Sequence, residues 1–146
     1  MASTIITPIA EDIETLAGAI AAAPKTYYPD PGFEGIDALP AIVVGVPKGR
    51  RKQPDEAEDH ISQYDWHLEY PVYIVCDLAV AETAQTQVVE LLEAFIEALD
   101  AGQDSFESGL VLEAVVSEWE EPEIVASPKR ALLTQSCTVA VLAFVS

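Results

Sequence analysis

Positive charge is what this sequence has least of. Lysine and arginine together number 7 against 25 aspartates and glutamates, for a formal net charge of −18. Such acidity opposes general binding to nucleic acid, because phosphate binding needs Lys and Arg to displace counterions. It also keeps a single chain soluble. Cysteine is nearly as scarce. Cys76 and Cys137 are the only two, they lack CxxC spacing, and each falls inside an expected strand. They read as small, reduced core residues, which points to an intracellular chain. No run reaches the ~18 uncharged apolar residues of a membrane span. The longest candidate, CTVAVLAFVS, alternates like a strand. The start, MASTIITPIAEDIE, has no basic region and turns acidic early, so no secretory leader and no membrane partner are expected.

Catalytic signatures are also missing. There is no GxSxG elbow, and Gly32 and Gly35 form neither GxGxxG nor a P-loop. His60 lies in an acidic segment and His67 on the polar face of an expected strand. Each reads as solvated or hydrogen-bonded rather than as a base or ligand. Asp59, His60, Asp65 and His67 could gather around a metal, but they show neither HExxH nor EF-hand spacing. The expectation is a non-enzyme with no catalytic residues, no metal and no cofactor.

What is present is apolar patterning. Half of the 146 residues are hydrophobic, which argues for one folded domain over residues 1–146. A chain of this size buries roughly 70% of its unfolded surface without metal or disulfide staples. Ile9, Ile13, Leu16, Ala17 and Ile20 form one stripe of a helix over 8–23, with Thr7 as its cap, Pro8 in its first turn and Pro24 as its stop. Residues 24–40 carry four prolines and read as an irregular connection, packed down by Tyr27, Tyr28 and Phe33. A short strand, 41–46, stops at Pro47. A long one, 64–80, puts Trp66, Leu68, Tyr70, Val72, Ile74 and Cys76 on one face, and its Pro71 indicates an edge or a bulge. The two are expected to pair as a hairpin. The next helix, 81–100, carries the stripe Val88, Leu91, Leu92, Phe95, Ile96 and Leu99, with Gly102 as its stop. Strands at 110–119 and 132–145 close the chain. Ala140, Leu142 and Phe144 make the last strand apolar on both sides, as in a central strand or one facing a partner.

The order α-β-β-α-β-β gives an α+β class: a mainly antiparallel sheet of about four to five strands with two helices on one face. Between the hairpin strands lies a charged loop, 47–65, too long to be an ordinary connection. Lys48, Arg50, Arg51 and Lys52 open it, and Asp55, Glu56, Glu58 and Asp59 follow. Those eight residues are the candidate docking site, because opposite charges in sequence suit contact between subunits or with a protein partner. Glu118, Glu120, Glu121 and Glu123 cluster around Trp119 as a solvated acidic loop, or as a surface that repels DNA or meets a basic partner.

The succession ALPAIVVGVP, a charged stretch, DWHLEYPVYIVCDL, the helix TAQTQVVELLEAFIEAL, then GLVLEAVVSEW and TQSCTVAVLAFV resembles the tail terminator (tail completion) proteins of long-tailed bacteriophages and related head–tail connector and minor tail proteins. The resemblance covers nearly the whole chain. It implies an α+β subunit of a homo-oligomeric ring, commonly a hexamer, that caps the tail tube and stops its polymerisation. The ring's partners would be the tail tube protein and the head–tail connector protein, with DNA passing through its lumen without specific binding. It also implies a place in the virion tail or neck after synthesis in the host cytoplasm. The alternative is a small nucleic-acid-binding module using the cluster at 48–52.

Overall fold

The computed structural model describes residues 3–52, 64–79, 81–102, 106 and 111–145. Among the described residues the elements run α1 (Ile6–Gly18), β1 (Lys25–Tyr27), β2 (Ala41–Val44), β3 (Lys48–Lys52), β4 (Tyr64–Asp77), α2 (Ala81–Gly102), β5 (Val111–Trp119), β6 (Glu123–Ala126) and β7 (Ala131–Val145). The α+β class holds. Among the described residues the sheet has seven strands rather than four or five, because β1, β3 and β6 add to the expected order.

Two long strands make the frame. β4 and β7 pair antiparallel without a register shift, from Tyr64↔Val145 to Asp77↔Leu132. Each is flanked on its outer side by a chain passage that breaks in two. β4 meets β2 through Val72–Val75 and β3 through Asp65–Glu69. β7 meets β6 through Ala131–Thr134 and β5 through Cys137–Ala143. β1 adds to β2 in parallel. One end of the sheet is therefore five strands wide, β1-β2-β4-β7-β6, and the other four, β3-β4-β7-β5.

Pro71 explains the first break. Val44 pairs with Val72 and Lys48 with Glu69, so Gly45, Val46 and Pro47 stand opposite only Tyr70 and Pro71. That is a bulge. Gly45 N–H donates to Pro71 O at 2.7 Å. A Cβ at Gly45 would lie 2.7 Å from Pro71 Cγ, so this approach needs glycine. Of the two placements expected for Pro71, the bulge is found and the edge is not, since β4 is central.

Both helices cover one face, as expected. The apolar stripes of α1 (Ile9, Ile13, Ala17) and α2 (Val88, Leu92, Phe95, Leu99) meet Leu68, Tyr70, Val72, Ile74 and Cys76 of β4 and Cys137, Val139 and Val141 of β7. Fully burying one such Leu or Phe side chain contributes about 1.5–3 kcal/mol. Tyr70 Oη donates to Ile6 O at 2.7 Å and ties the start of α1 to the sheet. Gly102 lets α2 end against α1, because a Cβ there would lie 2.5 Å from Leu16 Cδ2.

Two helix boundaries differ from expectation. α1 begins at Ile6, so Thr7 is inside it, and Thr7 N–H donates to Ser3 Oγ at 3.0 Å. It stops at Gly18 rather than at Pro24 because the chain must turn back into β1; Ala23 N–H donates to Ile20 O at 2.8 Å in that turn. α2 includes Gly102 as its last residue instead of stopping before it.

Among the described residues the opposite face is covered at the five-stranded end only. There the passage after β1 lays Tyr27, Phe33, Ile36 and Leu39 over Val43, Tyr73, Val75 and Leu132. Tyr27 Oη donates to Asp37 Oδ1 at 2.5 Å and accepts from Asp37 N–H at 3.1 Å. Arg130 hydrogen-bonds Phe33 O, and its guanidinium carbon sits 4.9 Å from the Phe33 ring centroid. Tyr28 packs on the main core instead. The three aromatics do hold this passage down.

Candidate functional site

The basic tetrad is a strand, not a loop tip. Pairing with β4 extends KGRRK beyond the bulge, with Lys48↔Glu69, Arg50↔His67 and Lys52↔Asp65 on the helix-free face. All five residues of β3 are exposed. The expected loop at 47–65 is thus corrected at both ends, since Lys48–Lys52 and Tyr64–Asp65 belong to the ladder. Asp55, Glu56, Glu58 and Asp59, and with them His60, lie outside the described residues.

Two contacts at the tetrad are exposed ones. Lys48 Nζ lies 3.3 Å from Glu69 Oε2, with the two side chains 84% and 48% exposed. Screening leaves such a pair worth under about 1 kcal/mol. Arg51 points to the helix side, and its guanidinium carbon lies 5.7 Å from the Trp66 ring centroid. All four cations of the tetrad thus stand on an exposed strand.

Between β3 and β5 the uncovered face forms an open trough of about 610 Å³. Lys48, Arg50 and His67 line one side, Leu142 and Ala140 the floor, and Glu113 the other side. Opposite charges face each other across an apolar strip. That arrangement suits a polypeptide with mixed charge better than a single small ion. Among the described residues no three His, Cys, Asp or Glu side chains come together as a metal would require, and Asp65 and His67 face solvent on adjacent positions of one strand face.

A second surface occupies the far edge. From Val111 to Ala126 the chain has five glutamates and no lysine or arginine. Glu113, Glu118, Glu120, Glu121 and Glu123 are all exposed, and Trp119 is 56% exposed among them. The break between β5 and β6 is anchored from behind. Glu120 N–H donates to Ser136 O, and buried Gln135 donates through Nε2 to Glu120 O, each at 2.9 Å. The sequence reading found four of these acids, as a solvated loop or as a charged surface, and it missed Glu113. The absence of any cation over Val111–Ala126 was the signal for an acidic edge.

Both cysteines are core residues on the helix side. Burial pushes the thiol of Cys76 up to about 11 and that of Cys137 to about 12, so neither is a nucleophile near neutral pH. The sequence matches no protein-family model and no curated protein.

Proposed function

We propose that this chain is a structural subunit that assembles into a ring at the end of a phage tail tube, stops tube growth and presents the surface that joins the head. The order of elements that resembles tail terminator proteins supports this reading. The single observation that carries it is charge segregation: four of the seven cations of a −18 chain stand on one exposed edge strand, β3. A head-to-tail ring needs two unlike surfaces on each subunit, and concentrated charge of the minority sign provides one of them. The acidic remainder suits a lumen through which DNA slides without being gripped. Tail tube protein, head–tail connector protein and a second copy of this chain are the proposed partners.

The test is light scattering at high concentration in physiological salt, followed by tube assembly with the chain present. The expected result is a discrete ring of about six subunits and tubes of arrested length. A monomer at every concentration overturns the reading.

The Arg51–Trp66 contact favours a second reading, a module for single-stranded nucleic acid, because it puts an aromatic beside the tetrad. Four phosphate contacts would give a salt slope of about −3.6. No mobility shift at ~50 mM salt eliminates it.

A further inference from the structure

The two outer edges of the sheet carry opposite charge in matching rows. Following the register across the four-stranded end, Arg50 pairs with His67, His67 with Leu142, and Leu142 with Glu113. Across the five-stranded end, Lys25 pairs with Ala41, Ala41 with Val75, Val75 with Thr134, and Thr134 with Glu123. These two rows start on a cation and finish on a glutamate, while the row from Lys48 passes through Glu69 and Ala140 to Val115. No acid occurs from Ala41 to Lys52, and no cation from Val111 to Ala126.

The exposed apolar side chains are placed the same way. Of the six large hydrophobic residues exposed among the described residues, five lie on these edges. Val46 is on the basic side; Leu112, Trp119, Ile124 and Val125 are on the acidic side. Buried at a contact, Trp119 is the kind of residue that carries binding energy, and a charged rim of opposite sign fixes register.

Resting on the ring reading above, we infer that neighbouring copies join edge to edge, the basic β3 edge of one against the acidic β5–β6 edge of the next. The occupant of each edge is a second copy of this chain, chosen by charge complementarity. β3 runs antiparallel to β4, β4 to β7 and β7 to β5, so a neighbour that continues the sheet brings its β3 antiparallel to β5. In that continuation the neighbour's Arg50 comes alongside Glu113. The contact is heterologous, because each subunit offers one edge of each kind, and a heterologous contact makes a ring when its rotation closes and an open filament when it does not.

Two charge-reversed variants test this. In the first, Lys48, Arg50 and Lys52 become Glu, making both edges acidic. In the second, Glu113, Glu118 and Glu121 become Lys, making the β5 edge basic as well as the β3 edge. Each folded variant alone should lose assembly. An equimolar mixture should recover it, with equal numbers of the two and an even subunit count, since like edges cannot meet. Should a triple variant fail to fold by circular dichroism, Arg50→Glu and Glu113→Lys replace it and should each raise the assembly midpoint concentration at least tenfold. Trp119→Ala should do the same without altering charge.

The outcomes separate the two ideas. Wild-type rings with either variant still assembling at the wild-type mass overturn the edge contact alone. Folded variants that stay apart in the mixture also overturn it. Rings that obey the mixing rule but leave tube length unchanged overturn the phage-tail reading alone. A wild-type monomer overturns both.

Discussion

The two ends of the β4–β7 ladder use the same two strands and reach opposite solutions. At the five-stranded end, Val72, Ile74, Val75 and Cys76 are all buried, because helices cover one face and the proline-rich passage the other. At the four-stranded end only Leu68 of the run Asp65–Glu69 is buried. Asp65, His67 and Glu69 alternate with Trp66 and Leu68, as on a sheet with one wet face. β7 does not follow that change. Its Ala140, Leu142 and Phe144 stay apolar and half-buried on the open face. The difference teaches that β4 follows the cover above it, whereas β7 keeps apolar surface where the described residues provide none.

The largest effect expected comes from truncating the same residue type at the two ends of that face. Leu132→Ala, at the covered end, should cost about 2–5 kcal/mol in urea denaturation. Leu142→Ala, at the open end, should cost about 1 kcal/mol. Equal losses would show that the open end is covered in solution and would break the contrast. The boundary between the ends comes next. Gly45→Ala should destabilise by about 1–3 kcal/mol through overpacking against Pro71, and amide exchange should rise on both sides of the bulge.

Tyr70→Phe should cost about 1 kcal/mol, the net worth of its bond to Ile6 O. Burial raises the Tyr70 hydroxyl well above its ordinary range. Its contribution is complete below the ordinary tyrosine pKa of about 10 and is lost as pH rises beyond it. An ultraviolet titration compared with that of Tyr70→Phe should show Tyr70 resisting ionisation until the fold opens.

The smallest effect lies in the covering passage. The Tyr27 hydroxyl bonded to Asp37 lowers that carboxyl below the usual aspartate range, despite its exposure. The stabilisation is present above the ordinary aspartate pKa and disappears as pH falls through the lowered value. Tyr27→Phe should return Asp37 upward in an NMR titration and leave the β3 end unchanged.

Much of this contrast was legible in the sequence. The stripe of α2 and the alternation of β4 gave their positions because a long periodic segment averages out local exceptions. β1 and β6 span only three and four residues and lie among prolines, too short for any period to register. β3 was hidden for another reason. KGRRK has no apolar residue to alternate, so only the backbone ladder to β4 makes it a strand. The Ala-rich stretch after Gly18 carries high helix propensity, yet the parallel pairing of β1 with β2 turns the chain there. The tetrad and four of the acids were visible, but their placement on opposite edges was not, because register across four strands is a tertiary property.

The unbroken ladder also governs how the chain is born. β4 ends at Asp77 and its partner β7 starts at Ala131, so α2, β5 and β6 emerge from the ribosome before the sheet can close. Such non-local pairing slows folding toward the millisecond-to-second range. Throughout that interval β4 presents an unpaired edge to every other nascent copy, a template for mispairing. The same 25 acids that burden the finished subunit with repulsion oppose such encounters, because like net charge keeps chains apart.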